Sequence, residues 1–144
     1  MKVRVAALII EDGRLLTMQY EYGGQMVYNL PGGNLEFGEQ MRQALERELE
    51  EELQINCEIG AEPAFTAEIH TAEKDTLHVI FGAKILSGDL MLNAQETSAK
   101  AICWLSLNAL ESVNLYPNVG LAIQEYSNNK LINKHLGTIE QPWY

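Results

Sequence analysis

Residues 31–55 read PGGNLEFGEQMRQALERELEEELQI, and the arrangement of this stretch decides the fold. Glycine and proline punctuate its first third. From Glu39 to Leu53 there is neither, only good helix formers, so one helix is expected over that span. Met41, Leu45, Leu49 and Leu53 then fall within roughly a 120° arc at helical spacing, with Ala44 beside it. Glu48 and Glu52 point into the same arc, and Glu51 lies at its edge one turn after Arg47. An unpaired carboxylate turned toward a core costs several kcal/mol or takes up a proton. Glu50, Glu51 and Glu52 also crowd the helix C-terminus, where the macrodipole disfavours each negative charge by about 0.3–1 kcal/mol. Local electrostatics thus oppose the placement, a conflict expected mainly at functional sites.

A divalent cation resolves it. Glu48, Glu51 and Glu52, at i, i+3 and i+4, can converge from one helix, and carboxylate oxygens are hard ligands suited to Mg2+ or Mn2+. The alternative is a solvated acidic face steadied by Arg42 and Arg47.

On either side of this stretch the chain reads as strands. Val3–Ile10 is rich in β-branched residues and stops at Glu11-Asp12-Gly13, and Arg14–Tyr20 reads as the returning strand of a hairpin. After Gly23-Gly24, Met26–Leu30 is a short strand ending at Pro31-Gly32-Gly33. Beyond the helix, Ile55–Ile59 and Ala64–His70 read as strands, with Glu73-Lys74-Asp75 as the turn into Thr76–Leu86. There Leu77, Val79, Phe81, Ala83 and Ile85 alternate. Ala101–Leu105 is another short strand, and Val119, Ala122, Ile123 and Tyr126 sit at helical spacing after Pro117-Asn118. One early and one late helix among strands make a mixed α/β or α+β domain.

The 144 residues are expected to form a single domain over 1–144 with one core. Twenty acidic against ten basic residues give a formal charge of −10, which repels long nucleic acid and anionic membrane surfaces. A small phosphorylated metabolite held through a cation stays compatible with that charge. The apolar run at Val5 meets Glu11 too soon for a signal peptide core or a membrane span. Cys57 and Cys103 lack metal or redox spacing and are expected to be buried reduced thiols, and the expected location is cytoplasmic.

The pattern from Gly33 to Ile55 resembles the signature of the Nudix hydrolases, G-x5-E-x7-R-E-U-x-E-E-x-G-U with U apolar. Gly33, Glu39, Arg47, Glu48, Leu49, Glu51, Glu52 and Ile55 match, and Gln54 stands where the signature has glycine. A glycine there usually supplies positive φ at the helix end. Gln54 would pay roughly 1 kcal/mol for that conformation unless the helix runs on or Asn56 takes the role. The resemblance extends to about Asn128 and implies an α/β/α sandwich around a mixed β-sheet.

It further implies hydrolysis of a nucleoside diphosphate linked to another group, by water attack on phosphorus with a divalent metal, Mg2+ or Mn2+. Glu48, Glu51 and Glu52 would be ligands with the Gly32 carbonyl. Arg47 would orient Glu51 or Glu52, and Glu39 would support the metal's water shell. The general base is a glutamate of the signature, Glu48 or Glu51, or one from a later loop, with Glu96 as the candidate against a solvated loop charge. Arg4 can reach a substrate phosphate or simply face outward from its strand. Trp143 and Tyr144 can stack on a base, close a homodimer or dock on their own domain, while His70 and His78 read as ordinary strand residues. A nucleotide-sensing module without turnover and a relative of isopentenyl diphosphate isomerase are the alternatives, and the complete Arg47/Glu48/Glu51/Glu52 set speaks against both. The tyrosine of diadenosine polyphosphate hydrolases, the proline of ADP-ribose specialists and the arginines of the coenzyme A signature are absent. By elimination a nucleoside triphosphate or modified nucleotide remains as substrate.

Overall fold

The structure, a computed structural model, describes residues 1–143, so the expectation for Tyr144 lies outside the described residues. Two sheets carry the domain. The first runs β11 (His135–Thr138), β7 (Phe65–His70), β8 (Asp75–Ser87), β1 (Lys2–Leu8), β5 (Gly32–Asn34), with β6 (Asn56–Ile59) also paired to β8. The second runs β10 (Leu115–Tyr116), β4 (Gln25–Asn29), β3 (Arg14–Tyr22), β2 (Ile10–Glu11), with β9 (Ala101–Ser106) also paired to β3. Helices α1 (Met41–Leu53) and α2 (Gly120–Ser127) cover opposite sides.

Side-chain alternation assigns those sides. Val5, Ala7, Val79 and Phe81 pack with Ala44, Leu45, Leu49 and Leu53 of α1. Ala6, Leu8, Phe65, Ala67 and Ile80 pack with Ala122 and Ile123 of α2. The mixed sheet is therefore the middle of an α/β/α sandwich, as expected. Leu77, Ala83 and Ile85 join the α1 side at its margin, which completes the alternation read along β8. Each fully buried leucine of α1 contributes roughly 1.5–3 kcal/mol. Met41, expected at the end of the apolar stripe, is instead exposed as the first residue of the helix.

The expected long hairpin is shorter than its apolar runs suggest. Only Ile10 and Glu11 pair with Leu15 and Arg14, across an Asp12-Gly13 turn with φ of 52° and 73° that matches the type I′ requirement. β1 crosses into the other sheet and lies parallel to β8, Lys2 opposite Thr76 through Leu8 opposite Gly82. The reason is burial on both faces, since Val5 through Ile9 are all inaccessible and a strand of that kind belongs in the middle of a covered sheet.

Two connections position the site. Pro31-Gly32-Gly33, read as a turn, continues into β5, which runs antiparallel to β1 with Val5 opposite Gly33 and Ala6 opposite Gly32. A Cβ at Gly32 would collide with the Val5 carbonyl, so only glycine lets the two backbones approach this closely. At the far end of α1, Gln54 itself adopts the left-handed conformation (φ 59°, ψ 36°) and donates its N–H to Glu50 O at 3.0 Å. The adjoining loop covers the last turn: Met91 N donates to Leu53 O at 3.1 Å and Asn93 N to Glu52 O at 2.9 Å. Cys57 and Cys103 are free thiols, half-buried rather than buried. Among the described residues no helix is long and apolar enough to cross a membrane.

Candidate active site

Helix α1 and the loop before it bring the expected acidic residues onto one guanidinium. Arg47 Nε and Nη2 donate to the two oxygens of Glu39 at 2.7 and 3.0 Å, while Nη1 donates to Glu48 Oε1 and Glu51 Oε2, both at 3.1 Å. Glu39 is further fixed by the Glu36 N–H, which donates to its Oε1 at 3.1 Å. The Arg47 hydrogen bonds hold the Glu39 carboxyl below the usual carboxylate range. They also raise Arg47 itself, so this pair is always ionised. Arg47 orients Glu51, one of the two residues expected, and also Glu48. Glu52 is not among its partners.

Glu48 and Glu52 lie deeper. The Glu48 carboxylate fills the space that a side chain at Gly33 would occupy, which explains the second glycine of the loop. Glu52 is pushed up to about 8, chiefly by burial, then by a hydrogen bond from the Glu48 side and by the charges of Glu48 and Glu51, with Arg4 opposing. Burial and the neighbouring carboxylates thus favour the protonated form of Glu52. Among the described residues no three ligating side chains converge on a single point. Like charges account for this: Glu48 and Glu51 are drawn to Arg47, and Glu52 is left beside the Glu48 carboxylate.

This acidic face is only in part the solvated one of the alternative reading, since Glu51 is 39% exposed at its side chain and Arg47 pairs with it while Glu48 lies deeper. Glu48 is 13% exposed at its side chain and Arg42 turns away to donate to Ile59 O at 3.0 Å. The donor set is all hard oxygen, it is partly desolvated, and it carries more negative charge than Arg47 offsets, so it fits a divalent cation of the Mg2+ type. The hydrogen bonds from Ala7 N to Pro31 O and from Leu35 N to Val3 O fix the parity of the β1–β5 ladder. By that parity Gly32 is a non-hydrogen-bonded position whose carbonyl has no partner on β1.

Glu96 is brought to this site by the loop that covers the end of α1. It lines one pocket together with Arg47, Glu50, Glu51 and Asn93. Its backbone N–H donates to Asn93 O at 2.9 Å, and the neighbouring Thr97 hydroxyl meets the Tyr20 hydroxyl at 2.9 Å.

Arg4 does not face outward. It points between the sheets, where Nη2 donates to Leu30 O at 2.8 Å and the guanidinium lies 5.5 Å from the Tyr116 ring centroid. An arginine in a strand whose next residues are all buried has only the inter-sheet end left to occupy. Trp143 docks on its own domain, its Nε1 donating to Leu115 O at 2.7 Å beside Val27, Ile69 and Tyr116. His70 and His78 sit in β7 and β8 as expected, His70 held by Glu68 at 3.0 Å and Asp75 at 2.8 Å. Sequence reading passed over Asn29 and Tyr116, which stand beside Arg4. Asn29 ends a short strand next to Pro31, and Tyr116 belongs to a strand of two residues, too short for any periodicity to show.

Comparison with known proteins agrees with this geometry. The family model described as NUDIX domain matches residues 1–124. A NUDIX hydrolase from Nitrosomonas europaea has 25% identity over 92% of both chains, with a TM-score of 0.74. The E. coli ORF135 protein has 25% identity over 89% of both chains, with a TM-score of 0.69. An ADP-ribose pyrophosphatase from Streptococcus suis shares the fold at 19% identity, covering 96% of this chain and 98% of its own, with a TM-score of 0.67. No curated protein matches the chain by sequence. With Glu39, Glu48 and Glu51 of the signature gathered on Arg47 and the family model matching residues 1–124, the chain belongs to the Nudix hydrolase family.

Proposed function

We propose that this protein hydrolyses the pyrophosphate linkage of a small nucleoside di- or triphosphate derivative with the help of Mg2+ or Mn2+. The observation that carries the reading is the set of half-buried carboxylates on one face of α1, Glu48 and Glu51 held by the single guanidinium of Arg47 and Glu52 beside Glu48. Glu48, Glu51 and Glu52 would hold the cation, with the Gly32 carbonyl as a further oxygen and Glu39 supporting the water shell from behind Arg47. When bound, the cation supplies positive charge to the phosphoryl oxygens and to water.

This chain's residues do the rest. Arg47 keeps Glu48 and Glu51 aimed and apart. Glu96, across the pocket from Glu51, accepts the proton of the attacking water as the new P–O bond forms and the bridging P–O bond breaks. Glu51 is the alternative acceptor. Arg4 faces a phosphate of the substrate. Structural neighbours bearing names such as ADP-ribose pyrophosphatase support the nucleotide class, and a nucleoside triphosphate or modified nucleotide is the substrate within it.

The test is product release from a panel of nucleoside triphosphates, modified nucleotides and nucleoside diphosphate sugars with Mg2+. Hydrolysis by the wild type and its loss in Glu52→Gln is the expected result. Binding of these compounds with no turnover under Mg2+ or Mn2+ overturns the enzymatic reading.

A further inference from the structure

Glu96 sits on a tight turn that is closed on itself. The Asn93 carbonyl accepts the Glu96 N–H at 2.9 Å and the Thr97 N–H at 3.1 Å, and the Asn93 side-chain oxygen accepts the Gln95 N–H at 3.2 Å. Bonds of this local kind fix the shape of a turn and leave its place in the molecule to other contacts. Its first foot stands on α1, where Asn93 N donates to Glu52 O at 2.9 Å. The second stands on the other sheet. The Thr97 hydroxyl meets the Tyr20 hydroxyl of β3 at 2.9 Å. Among the described residues this is the only hydrogen bond that ties residues 94–99 to another element of the fold. The turn therefore spans from the helix layer to the second sheet, with Glu96 between its two feet.

Both hydroxyls of the second foot are held in place. The Tyr20 ring stacks on Tyr22, with 5.7 Å between centroids and 8° between planes, and packs against the core beneath α1. Thr97 Oγ1 accepts the Ala99 N–H at 3.2 Å and keeps a second lone pair and its own proton for the phenol. The pair is half-buried, where a hydrogen bond is stronger than in open water.

The turn works against its own charge. Glu96 lines its pocket with Glu50 and Glu51, and Arg47, the cation of that pocket, is already engaged by Glu39, Glu48 and Glu51. Like charges push Glu96 away from the helix, and the foot on β3 opposes that push. We propose that Tyr20 is a positioning residue: its hydroxyl, through Thr97, holds the turn that carries Glu96 at the pocket. The anchoring stands by itself, while its part in turnover rests on the function proposed above, with Glu96 as proton acceptor. A misplacement of about 1 Å in such a group can cost about 100-fold in rate.

The experiment begins in EDTA, where neither metal nor turnover enters. Tyr20→Phe removes one oxygen and keeps the stacked ring. Amide exchange followed by NMR is expected to quicken about tenfold at Glu96, Thr97 and Ala99, more at low salt than at high, while the middle of α1 keeps its protection. Thr97→Val is expected to do the same, and Thr97→Ser to restore the wild-type rates. With Mg2+ and the best substrate of the panel above, Tyr20→Phe is expected to lower kcat about tenfold, with KM and Mg2+ affinity within about twofold of wild type. In a Glu96→Gln background Tyr20→Phe is expected to add no further loss, because the two act as one unit. Exchange unchanged by Tyr20→Phe, or a full tenfold loss added on top of Glu96→Gln, overturns the proposal. Quickened exchange in a protein whose turnover survives Glu96→Gln upholds the anchor and counts against Glu96 as proton acceptor alone. The same quickening in a protein showing no hydrolysis upholds the anchor and counts against the enzymatic reading alone.

Discussion

Arg47 grips Glu39 through two parallel hydrogen bonds of 2.7 and 3.0 Å, tying the loop before α1 to the middle of that helix. The same guanidinium reaches Glu48 and Glu51 with its remaining nitrogen, so the position of two candidate ligands depends on a third carboxylate. Glu39→Gln keeps the shape but gives up the charge and one acceptor. Its expected effect is a loss of about 10–100-fold in kcat or metal affinity with the fold intact, read by steady-state kinetics and circular dichroism. Arg47→Lys is expected to do no better, because an ammonium cannot reproduce the fork.

Glu52 should separate stability from activity. Its carboxyl is half-buried and pushed up to about 8, so the metal-free fold pays to keep it. Glu52→Gln removes that cost. In EDTA the variant is expected to melt a few degrees above the wild type by thermal scan, roughly 2–4 °C for each kcal/mol gained at this size. Its turnover with Mg2+ is expected to fall by more than about 100-fold.

The two glycines of the loop predict different failures. A Cβ at Gly33 meets only the far end of the Glu48 side chain, whereas one at Gly32 meets β1 backbone. Gly33→Ala is therefore expected to leave thermal stability within about 1 kcal/mol of wild type while weakening metal uptake by displacing Glu48. Gly32→Ala is expected to destabilise by about 1–3 kcal/mol or more, measured by denaturant titration.

At the end of α1, Gln54 occupies a left-handed conformation that glycine adopts without strain. Gln54→Gly is expected to raise stability by about 0.5–1 kcal/mol, less whatever its weak side-chain bond to Met91 O at 3.3 Å contributes. Denaturant midpoints at unchanged slope would report this.

Acid should act through His78, buried and pushed down to about 3. In the unfolded chain the imidazole protonates near 6.5, so between those values the unfolded state binds more protons and stability falls as pH falls. The contribution is complete above about pH 6.5 and is lost progressively toward pH 3, at no more than about 1.4 kcal/mol per pH unit. Unfolding at pH 7, 6, 5 and 4 checks it, and His78→Gln is expected to flatten the slope.

What the sequence disclosed, and what it withheld, follows from length scale. The helix, its misplaced glutamates and the alternation of β8 were legible because thirteen-residue elements display their period. β5, β10 and the turn of 3-10 helix at Leu107–Ser112 were not, since pieces of two to six residues carry no period. β11, whose His135–Thr138 includes a glycine, gave no strand pattern either. β1 was legible as a strand and misplaced as a hairpin arm, because five consecutive buried residues fit either sheet until β8 is seen beside it. Within the site, spacing along α1 located Glu48, Glu51 and Glu52. The approach of Glu96 depends on two backbone bonds from the loop to the last turn of the helix, which no side-chain pattern encodes. Arg4 was readable only as a strand arginine, and its inward direction became clear once the second sheet placed Asn29 and Tyr116 against it.

The central claim is that the half-buried glutamates of α1 exist to bind a divalent cation. Isothermal titration of the purified protein with Mg2+, in the presence of a non-hydrolysable nucleoside triphosphate analogue, tests it most directly. Saturable uptake in the wild type that disappears in Glu52→Gln is the predicted result. No uptake of Mg2+ or Mn2+ with or without the analogue, or uptake unchanged by Glu52→Gln, would contradict it.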